Sequence, residues 1–201
     1  MKSDKEIERE LAYSWTGSPK IIRSLAALRG WKRSLENYRI LDSIYDTEDG
    51  TLARQSVGVR IRSKNDVTTL TAKKYIDTGE SGESIFEEKS KTLATSIHPD
   101  ALNSKEIGLG LANMKLTKQL QFINNRQEVL FNKNGQSVLL VNEDVTYANR
   151  SRIYSEHILE VEFINSSKEF IDDVRNEIEA KFQVKLFKEG KTDRAKRFLR
   201  E

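Results

Sequence analysis

Polar and apolar residues alternate along much of this chain, a pattern that predicts β-strands more often than helices. Near the start, Glu6, Glu8 and Glu10 are separated by single residues, of which Arg9 is the only charge on the otherwise apolar opposite face. Side chains two residues apart lie on one face of a strand, about 7 Å from each other. The segment 5–13 is therefore predicted to be a strand that points three carboxylates the same way.

Further segments repeat this two-residue period, with basic or acidic residues on one face. Between 57 and 62, Arg60 and Arg62 alternate with three apolar residues. The later predicted strands are 38–45, 55–63, 67–75, 84–89, 124–131, 136–147 and 156–164, of which 55–63 and 67–75 form a hairpin. Polar positions assigned to the charged faces are Lys73, Arg126, Asn142, Asp144, Glu156, Glu160 and Glu162. On the last strand, His157 falls on the apolar face and is expected to pack.

Helical spacing of apolar residues is less frequent. A serine followed by a proline at 18–19 predicts a helix start, and Ser166 with Glu169 forms a capping box before an apolar stripe. Thr192 and Asp193 are expected to cap a short basic helix. The predicted helices are 19–37, 98–107, 166–182 and the segment from 192 to the C-terminus.

Seven or eight antiparallel strands with few helices predict an α+β fold, mainly antiparallel β, built as a barrel or a strongly curved sheet. The apolar stripes of the helices must cover the apolar strand face, so the helices pack outside. The charged face then lies either in solvent or around a closed lumen, and alternation alone does not distinguish the two. No repeat, low-complexity tract or Pro/Gly linker interrupts the chain, so residues 1–201 are predicted to form a single domain.

Composition narrows the function classes. Of the 201 residues, 34 are Lys or Arg and 31 are Asp or Glu, and the resulting net charge of +3 gives no reason to expect nucleic acid. The absence of cysteine excludes disulfides, thiolate catalysis and cysteine zinc sites. The sequence contains no apolar signal core and no apolar run near the roughly 20 residues of a membrane span, so a soluble cytoplasmic protein is expected.

Acidic and basic sets on one sheet face suit a metal-bound polyphosphate. Guanidinium groups bind phosphate oxygens in charge-assisted pairs, and carboxylates are the ligands that Mg²⁺ or Mn²⁺ prefer. If the predicted strands share one sheet, Glu6, Glu8, Glu160 and Glu162 supply the carboxylates, and the arginines of the 57–62 segment supply the cations.

An ordered series of motifs extends this interpretation to a family. The motifs are Glu6-Ile7-Glu8-Arg9-Glu10, Tyr45-Asp46-Thr47, Arg60-Ile61-Arg62, Thr69-Leu70-Thr71-Ala72-Lys73, Arg126, Asp144, Glu160-Val161-Glu162 and Gly190-Lys191-Thr192-Asp193-Arg194-Ala195. The series resembles the CYTH superfamily, also called triphosphate tunnel metalloenzymes, over nearly the whole chain. Members include thiamine triphosphatases, inorganic tripolyphosphatases, RNA 5′-triphosphatases and a class of adenylyl cyclases. The resemblance implies a closed eight-stranded antiparallel barrel whose tunnel binds triphosphate.

The resemblance also assigns roles to residues. It implies that the carboxylates facing Mg²⁺ or Mn²⁺ are Glu6, Glu8, Asp144, Glu160 and Glu162. It implies that the phosphates are bound by Arg60, Arg62, Lys73, Arg126, Lys191 and Arg194, the last two at the tunnel mouth. Glu6, Glu8, Glu160 and Glu162 are implied to be catalytic. In this chemistry the metal ion joins carboxylate and phosphate oxygens, the arginines take developing charge, and a water molecule attacks in line.

Two positions depart from the family pattern. The first motif of the family ends in a lysine that holds phosphate, and Glu10 stands there in this chain. A carboxylate at this position removes a cation from the tunnel and adds an anion. The arginine-glutamate signature of the middle strand is blurred, with Glu87 and Glu88 as the candidates.

Several functions remain open at this point. The first is a metal-dependent phosphohydrolase that cleaves the terminal phosphoanhydride of inorganic triphosphate or of a small organic triphosphate. The others are a non-catalytic triphosphate or nucleotide-binding module, an adenylyl cyclase, and a structural barrel without a ligand. The expected partner is a small molecule that contains triphosphate, with nucleic acid considered only as an RNA 5′-triphosphate end, and no membrane partner is expected. The oligomeric state is not encoded in these patterns.

Overall fold

The computed structural model describes residues 6–17, 24–93, 114–148 and 152–200, without the side chains of Glu6 and Arg200. The strands in these ranges are β1 (Glu6–Ser14), β2 (Lys32–Asp46), β3 (Val57–Lys64), β4 (Val67–Thr78), β5 (Ser84–Leu93), β6 (Thr117–Lys133), β7 (Gln136–Ala148), β8 (Ile153–Ile164) and β9 (Lys185–Leu186). The helices are α1 (Thr51–Arg54), α2 (Lys168–Lys181) and α3 (Lys191–Arg200), with a 3₁₀ turn at Ala26–Leu28.

Eight strands close into an antiparallel barrel. Their order is β5-β4-β3-β2-β6-β7-β8-β1, and a further pairing of β1 with β5 joins the two ends. The short strand β9 pairs with β1 outside this ring, at Tyr13 and Ser14. The closed eight-stranded barrel predicted from the family resemblance is confirmed, so the charged strand faces enclose a lumen.

Local turn chemistry explains two of the hairpins. The β3–β4 turn contains Asn65 with a φ of 53°, and the β6–β7 turn consists of Asn134 and Gly135 with φ of 51° and 80°. Two-residue hairpin loops require positive φ, which Asn and Gly tolerate best. These turns fix the strand register and hence which side chains face inward.

The main apolar core lies outside the barrel, under α2. The N–H of Phe170 donates to the side chain of Ser167, which caps α2 and sets its first turn. The helix buries Ile171, Val174 and Ile178 against the outward residues of four strands. Those outward residues are Leu11, Tyr13, Val129, Phe131, Val138, Leu140, Leu159, Val161 and Phe163. A second external cluster packs Leu52 of α1 against Val57, Val59 and Ile61 of β3.

A smaller apolar layer lies inside one end of the barrel. The inward residues Ile44, Phe122, Tyr147 and Ile158 pack with Ala195 of α3. Helix α3 therefore covers this end, and its first turn is placed beside the charged middle of the lumen.

The predicted helix 19–37 is wrong in the part that the structure describes. Residues 24–31 contain only the 3₁₀ turn, and β2 begins at Lys32, after Gly30 with a φ of 77°. The ladder from Lys32↔Asn132 to Asp46↔Thr117 explains the difference, because β6 supplies hydrogen-bond partners along all of β2. Such a distant partner overrides a local helical spacing.

Other differences at the helices are smaller. The N-cap of α2 is Ser167 and not Ser166, so the helix starts one residue later than the predicted capping box. The predicted helix 98–107 lies outside the described residues, as do positions 18–23. None of the helices in the described ranges is both long and apolar enough to cross a membrane.

Candidate functional site

The lumen is lined by charged residues from seven of the barrel strands and from α3. Alternation had assigned most of these residues to the polar strand faces, and the barrel turns those faces inward. The predicted site residues that meet in the lumen are Glu8, Glu10, Arg60, Arg62, Lys73, Arg126, Glu160, Glu162 and Lys191. Acidic and basic groups are intermixed there, and Arg62, Lys73, Arg126 and Lys191 each contact at least one carboxylate.

Lys73 lies between two carboxylates of β1. Its Nζ is 2.6 Å from Oε2 of Glu10 and 2.9 Å from Oε2 of Glu8, and it also lies 4.1 Å above the centre of the Phe86 ring. Burial raises the pKa of Glu10 to about 7 even though Lys73 opposes that shift. One lysine therefore does not fully compensate the acidic side of this wall.

Arg126 of β6 lies in the most acidic part of the lumen. Its Nε is 3.2 Å from Glu143, and its Nη2 is 3.5 Å from Glu160 and 3.6 Å from Glu162. Burial disfavours the guanidinium charge, but these carboxylates outweigh it and raise the pKa of Arg126. A fixed cation surrounded by acids can exchange one of them for a phosphate oxygen.

Glu160 and Glu162 face the lumen from the same strand but have opposite electrostatic environments. Burial alone would raise the pKa of Glu160, yet Lys191 at 3.2 Å and the neighbouring Arg126 lower it. Burial and repulsion from Glu8 instead raise the pKa of Glu162 to about 8. The lumen thus holds more carboxylate charge than its own cations neutralise.

The two arginines of β3 differ in whether their guanidinium groups are already hydrogen-bonded to a carboxylate. Arg62 donates from Nε and Nη2 to the two carboxylate oxygens of Asp42, at 2.9 and 2.8 Å. Burial opposes ionisation of Asp42, but this pair of hydrogen bonds keeps the pKa of Asp42 below its ordinary value. The buried Nε of Arg60 has no hydrogen-bond partner within the described part of the chain. Arg60 is therefore the arginine that is free to bind an anion through this group.

One predicted site residue lies elsewhere. Asp144 is on the outer wall with 51% of its side chain exposed, and it contacts Nδ1 of an exposed His157, so neither the lumen position of Asp144 nor the packed position of His157 is correct. Arg194 lines the cavity at the α3 end and donates to both oxygens of Glu156, at 2.9 and 3.1 Å. Since Tyr147 donates to the same carboxylate, Arg194 is already engaged in the packing of α3 against the barrel.

The structure also adds residues that the sequence patterns missed. Glu143, next to Asp144, is fully buried in the lumen, where it contacts Lys191 and accepts a hydrogen bond from Asn124 at 2.6 Å. Asp42 enters from β2. Each lies in a strand with apolar residues on both faces, and alternation assigned Asp144 instead of Glu143 to the charged face of β7.

The donor set fits a hard divalent cation in its chemistry. The lumen offers several carboxylate oxygens, and burial and the neighbouring carboxylates raise the pKa values of Glu8 and Glu162, as expected where negative charge is in excess and a cation would be favoured. Among the described side chains, however, no three acidic or histidine groups converge as a formed metal site. Lys73, Arg126 and Lys191 hold the carboxylates in ion pairs instead. Glu6 would extend the carboxylate set, but its side chain lies outside the description.

A cavity of about 500 Å³ adjoins the charged lumen at the α3 end. Glu10, Arg60, Lys73 and Lys191 line its inner side, and aromatic residues including Tyr75 and Phe86 line its outer part. A closed antiparallel barrel with such an interior defines a class of tunnel proteins suited to a compact, highly charged anion.

Comparisons with known proteins agree with this class. Residues 4–196 match the CYTH domain, so the chain belongs to the CYTH domain family. A search of curated proteins found no significant match.

Solved structures of low sequence identity share the fold. A proposed adenylate cyclase from Bacillus halodurans is 20% identical, with a TM-score of 0.61 over 94% of this chain and 97% of that one. A proposed adenylyl cyclase from Hippeastrum, described as having a dominant triphosphatase activity, is 17% identical, with a TM-score of 0.64 over 95% and 96%. A Pyrococcus horikoshii protein is 16% identical, with a TM-score of 0.55 over 95% and 99%. At these identities the likeness concerns the fold alone.

Proposed function

We propose that this protein is a metal-dependent phosphohydrolase that cleaves the terminal phosphoanhydride of inorganic triphosphate or of a small organic triphosphate. The observation that carries the proposal is the enclosed lumen in which Arg126 lies 3.5 and 3.6 Å from Glu160 and Glu162, and Lys191 lies 3.2 Å from Glu160. Arg60 lines the adjoining cavity together with Lys191 and Glu160. A triphosphate needs the cations, and its divalent counter-ion needs the carboxylates. The triphosphatase activity described for the Hippeastrum protein also supports a triphosphatase activity for this chain.

The acidic and the basic residues of the lumen have different roles in this proposal. Glu8, Glu160 and Glu162, with Glu6 added by the family resemblance, would hold Mg²⁺ or Mn²⁺, which supplies positive charge to the phosphate oxygens when bound. Arg60, Arg126 and Lys191 orient the phosphate chain. Arg126, already fixed and buried, stabilises the charge that develops on the transferred phosphoryl group. Water is the nucleophile, and an inward carboxylate accepts its proton.

A second function is a triphosphate-binding module without hydrolysis. The contact of Glu10 with Lys73 favours it, because this ion pair engages a cation that could otherwise contact phosphate. Both functions require the same lumen, so turnover distinguishes them.

The test is phosphate release from tripolyphosphate and several organic triphosphates. We expect orthophosphate release with Mg²⁺ or Mn²⁺, its loss with a chelator and its return when the metal is restored, because the metal supplies positive charge that the reaction at the phosphorus atom needs. Turnover that persists in chelator, or none with any substrate, contradicts the hydrolase. Tight binding without release would support the binding module.

Arg60→Ala and Arg62→Ala should separate ligand binding from stability. Arg60→Ala is expected to weaken triphosphate binding about ten- to a hundredfold with little change in melting temperature, because it removes a charge-assisted contact. Arg62→Ala leaves Asp42 buried without its bidentate partner, so we expect a clear loss of thermal stability as well. Calorimetric titration and thermal melts on both variants measure the two effects. Equal losses of stability would show that the free Nε of Arg60 has no special role.

A further inference from the structure

The pair formed by Glu10 and Lys73 marks the boundary between the charged lumen and the adjoining cavity. Both residues line the cavity, and their 2.6 Å contact is the shorter of the two that Lys73 makes with β1. Both side chains are largely buried, with 15% of Glu10 and 25% of Lys73 exposed. In this position Glu10 meets whatever group extends from the phosphate cradle into the cavity.

On the basis of the proposed function, we infer that Glu10 is a specificity-determining residue. It keeps Lys73 away from the phosphate chain and thereby makes the tunnel favour an esterified triphosphate over inorganic tripolyphosphate. The end of the ligand nearest Glu10 carries fewer charges when it is an ester, because esterification replaces an ionisable oxygen with a neutral one. A carboxylate at this point repels the more highly charged inorganic end more strongly.

The adjoining cavity suggests an orientation for the ligand. Glu10, Lys73 and Arg60 line this cavity, whereas Arg126 and Glu162 do not. An organic group that extends into the cavity therefore lies on the Glu10 side. Tyr75 and Phe86, whose ring centres are 5.8 Å apart in an edge-on pair, supply an apolar wall there.

Lys73 gains little by leaving its carboxylates for a phosphate. Moving Nζ to a terminal phosphate breaks a buried charge-assisted hydrogen bond to Glu10 and forms a similar one, so the two nearly cancel. Glu8 alone, at 2.9 Å, holds Lys73 less closely. Removing the charge of residue 10 should therefore release Lys73 toward the ligand.

The experiment compares Glu10→Gln with the natural chain, using tripolyphosphate and methyl triphosphate as probes. Affinities are measured by calorimetric titration in chelator, where hydrolysis is not expected, and kcat/KM is measured with Mg²⁺. We expect tripolyphosphate to bind about tenfold tighter to Glu10→Gln and methyl triphosphate at most about threefold tighter. Glu10→Ala serves as a second variant with the same expected direction should Glu10→Gln not fold.

Glu128→Gln is the matched control. It removes one negative charge from the lumen beside Arg126, at 3.4 Å, and lies outside the cavity that Glu10 lines. It should change both affinities by the same factor. Adding Lys73→Met to Glu10→Gln should abolish the gain for tripolyphosphate, because the gain acts through Lys73.

The outcomes separate this inference from the proposed function. If the natural chain binds and hydrolyses both probes, but Glu10→Gln leaves the ratio of their affinities unchanged, the inference is wrong and the proposed function stands. An equal shift of that ratio by Glu128→Gln, or a gain that survives Lys73→Met, also overturns the inference. If the natural chain neither binds nor hydrolyses either probe, the proposed function fails and the inference fails with it.

Discussion

Glu160→Gln and Glu162→Gln should both abolish triphosphate hydrolysis while shifting the stability of the metal-free protein in opposite directions. Each removes a carboxylate proposed to hold the divalent ion, so turnover is lost in both. In the metal-free lumen, however, Glu160 is ion-paired with Lys191 and Arg126, whereas Glu162 is repelled by Glu8. Glutamine therefore removes a favourable charge at 160 and an unfavourable one at 162.

The pH dependence gives each shift a sign. The folded-state pKa of Glu162 is raised from 4.5 to about 8, so the natural chain loses stability as the pH rises through that window. Glu162→Gln lacks this loss, and its melting temperature should exceed that of the natural chain by at least about 3 °C at pH 9. The folded-state pKa of Glu160 is lowered, so its contribution is present above pH 4.5 and is lost as the pH falls through the folded pKa.

Thermal melts in chelator from pH 2 to pH 9 measure this contrast. Glu160→Gln should melt below the natural chain at pH 9 and approach it only as the pH falls below 4.5, toward the lowered folded-state pKa of Glu160. Parallel melting curves for the two variants would show that the two side chains share one environment. Full activity of either variant would place that residue outside the reactive site.

Replacing Arg126 by methionine should have the largest effect on stability of any single lumen substitution that we consider. Arg126 is 6% exposed, and its guanidinium lies within 3.6 Å of Glu143, Glu160 and Glu162. Without it Glu143 and Glu160 share Lys191 alone and Glu162 loses its contact with a cation, which costs about 3–5 kcal/mol, or about 10 °C in melting temperature for a chain of this size. The loss should shrink in acid as the carboxylates become protonated.

Arg197→Met is the matched control for this prediction. Arg197 pairs with Glu189 at 3.0 Å on the surface, with about half of each side chain exposed to solvent. Exposed ion pairs contribute about 0–1 kcal/mol, so little change in melting temperature is expected. Similar melting temperatures for the two variants would mean that Arg126 is not essential to the charge balance of the lumen.

Alternation in the sequence was sufficient to place most of the lumen. Glu8, Glu10, Arg60, Arg62, Lys73, Arg126, Glu160 and Glu162 all face inward as their two-residue period predicted. In these strands one face meets an external core and the other meets charge, so the pattern has a single solution. Closure of the barrel did not follow from alternation, and the family resemblance supplied it.

Strand β7 shows where alternation fails. Val138 and Leu140 pack outward under α2, while Val145 and Tyr147 pack inward near α3. With apolar residues on both faces, alternation assigned the wrong one of two adjacent acids to the lumen. Asp144 was predicted there, and Glu143 occupies that position.

The ends of β2 and the role of α3 depended on distant partners. Leu25 and Leu28 fit a helical spacing, but they join the external core from a single turn, and β2 begins soon after them because β6 lies alongside. Lys191 and Arg194 are three residues apart on one helix, yet Lys191 contacts Glu160 and Arg194 pairs with Glu156. Only the docking of the helix on the barrel separates their roles.

Strand β1 is both the seam of the barrel and a wall of the site. It pairs with β5 from Glu6 to Glu10 and with β8 from Arg9 to Ser14, so these two barrel strands flank β1 together only at Arg9 and Glu10. Because β1 and β8 are far apart in sequence, this seam is costly in chain entropy and is a natural place for local opening. A ligand that contacts both Glu8 of β1 and Glu162 of β8 would hold these two strands together. Ligand binding in the tunnel would then reduce local opening of the barrel, and hydrogen exchange of the β1 amides would become slower.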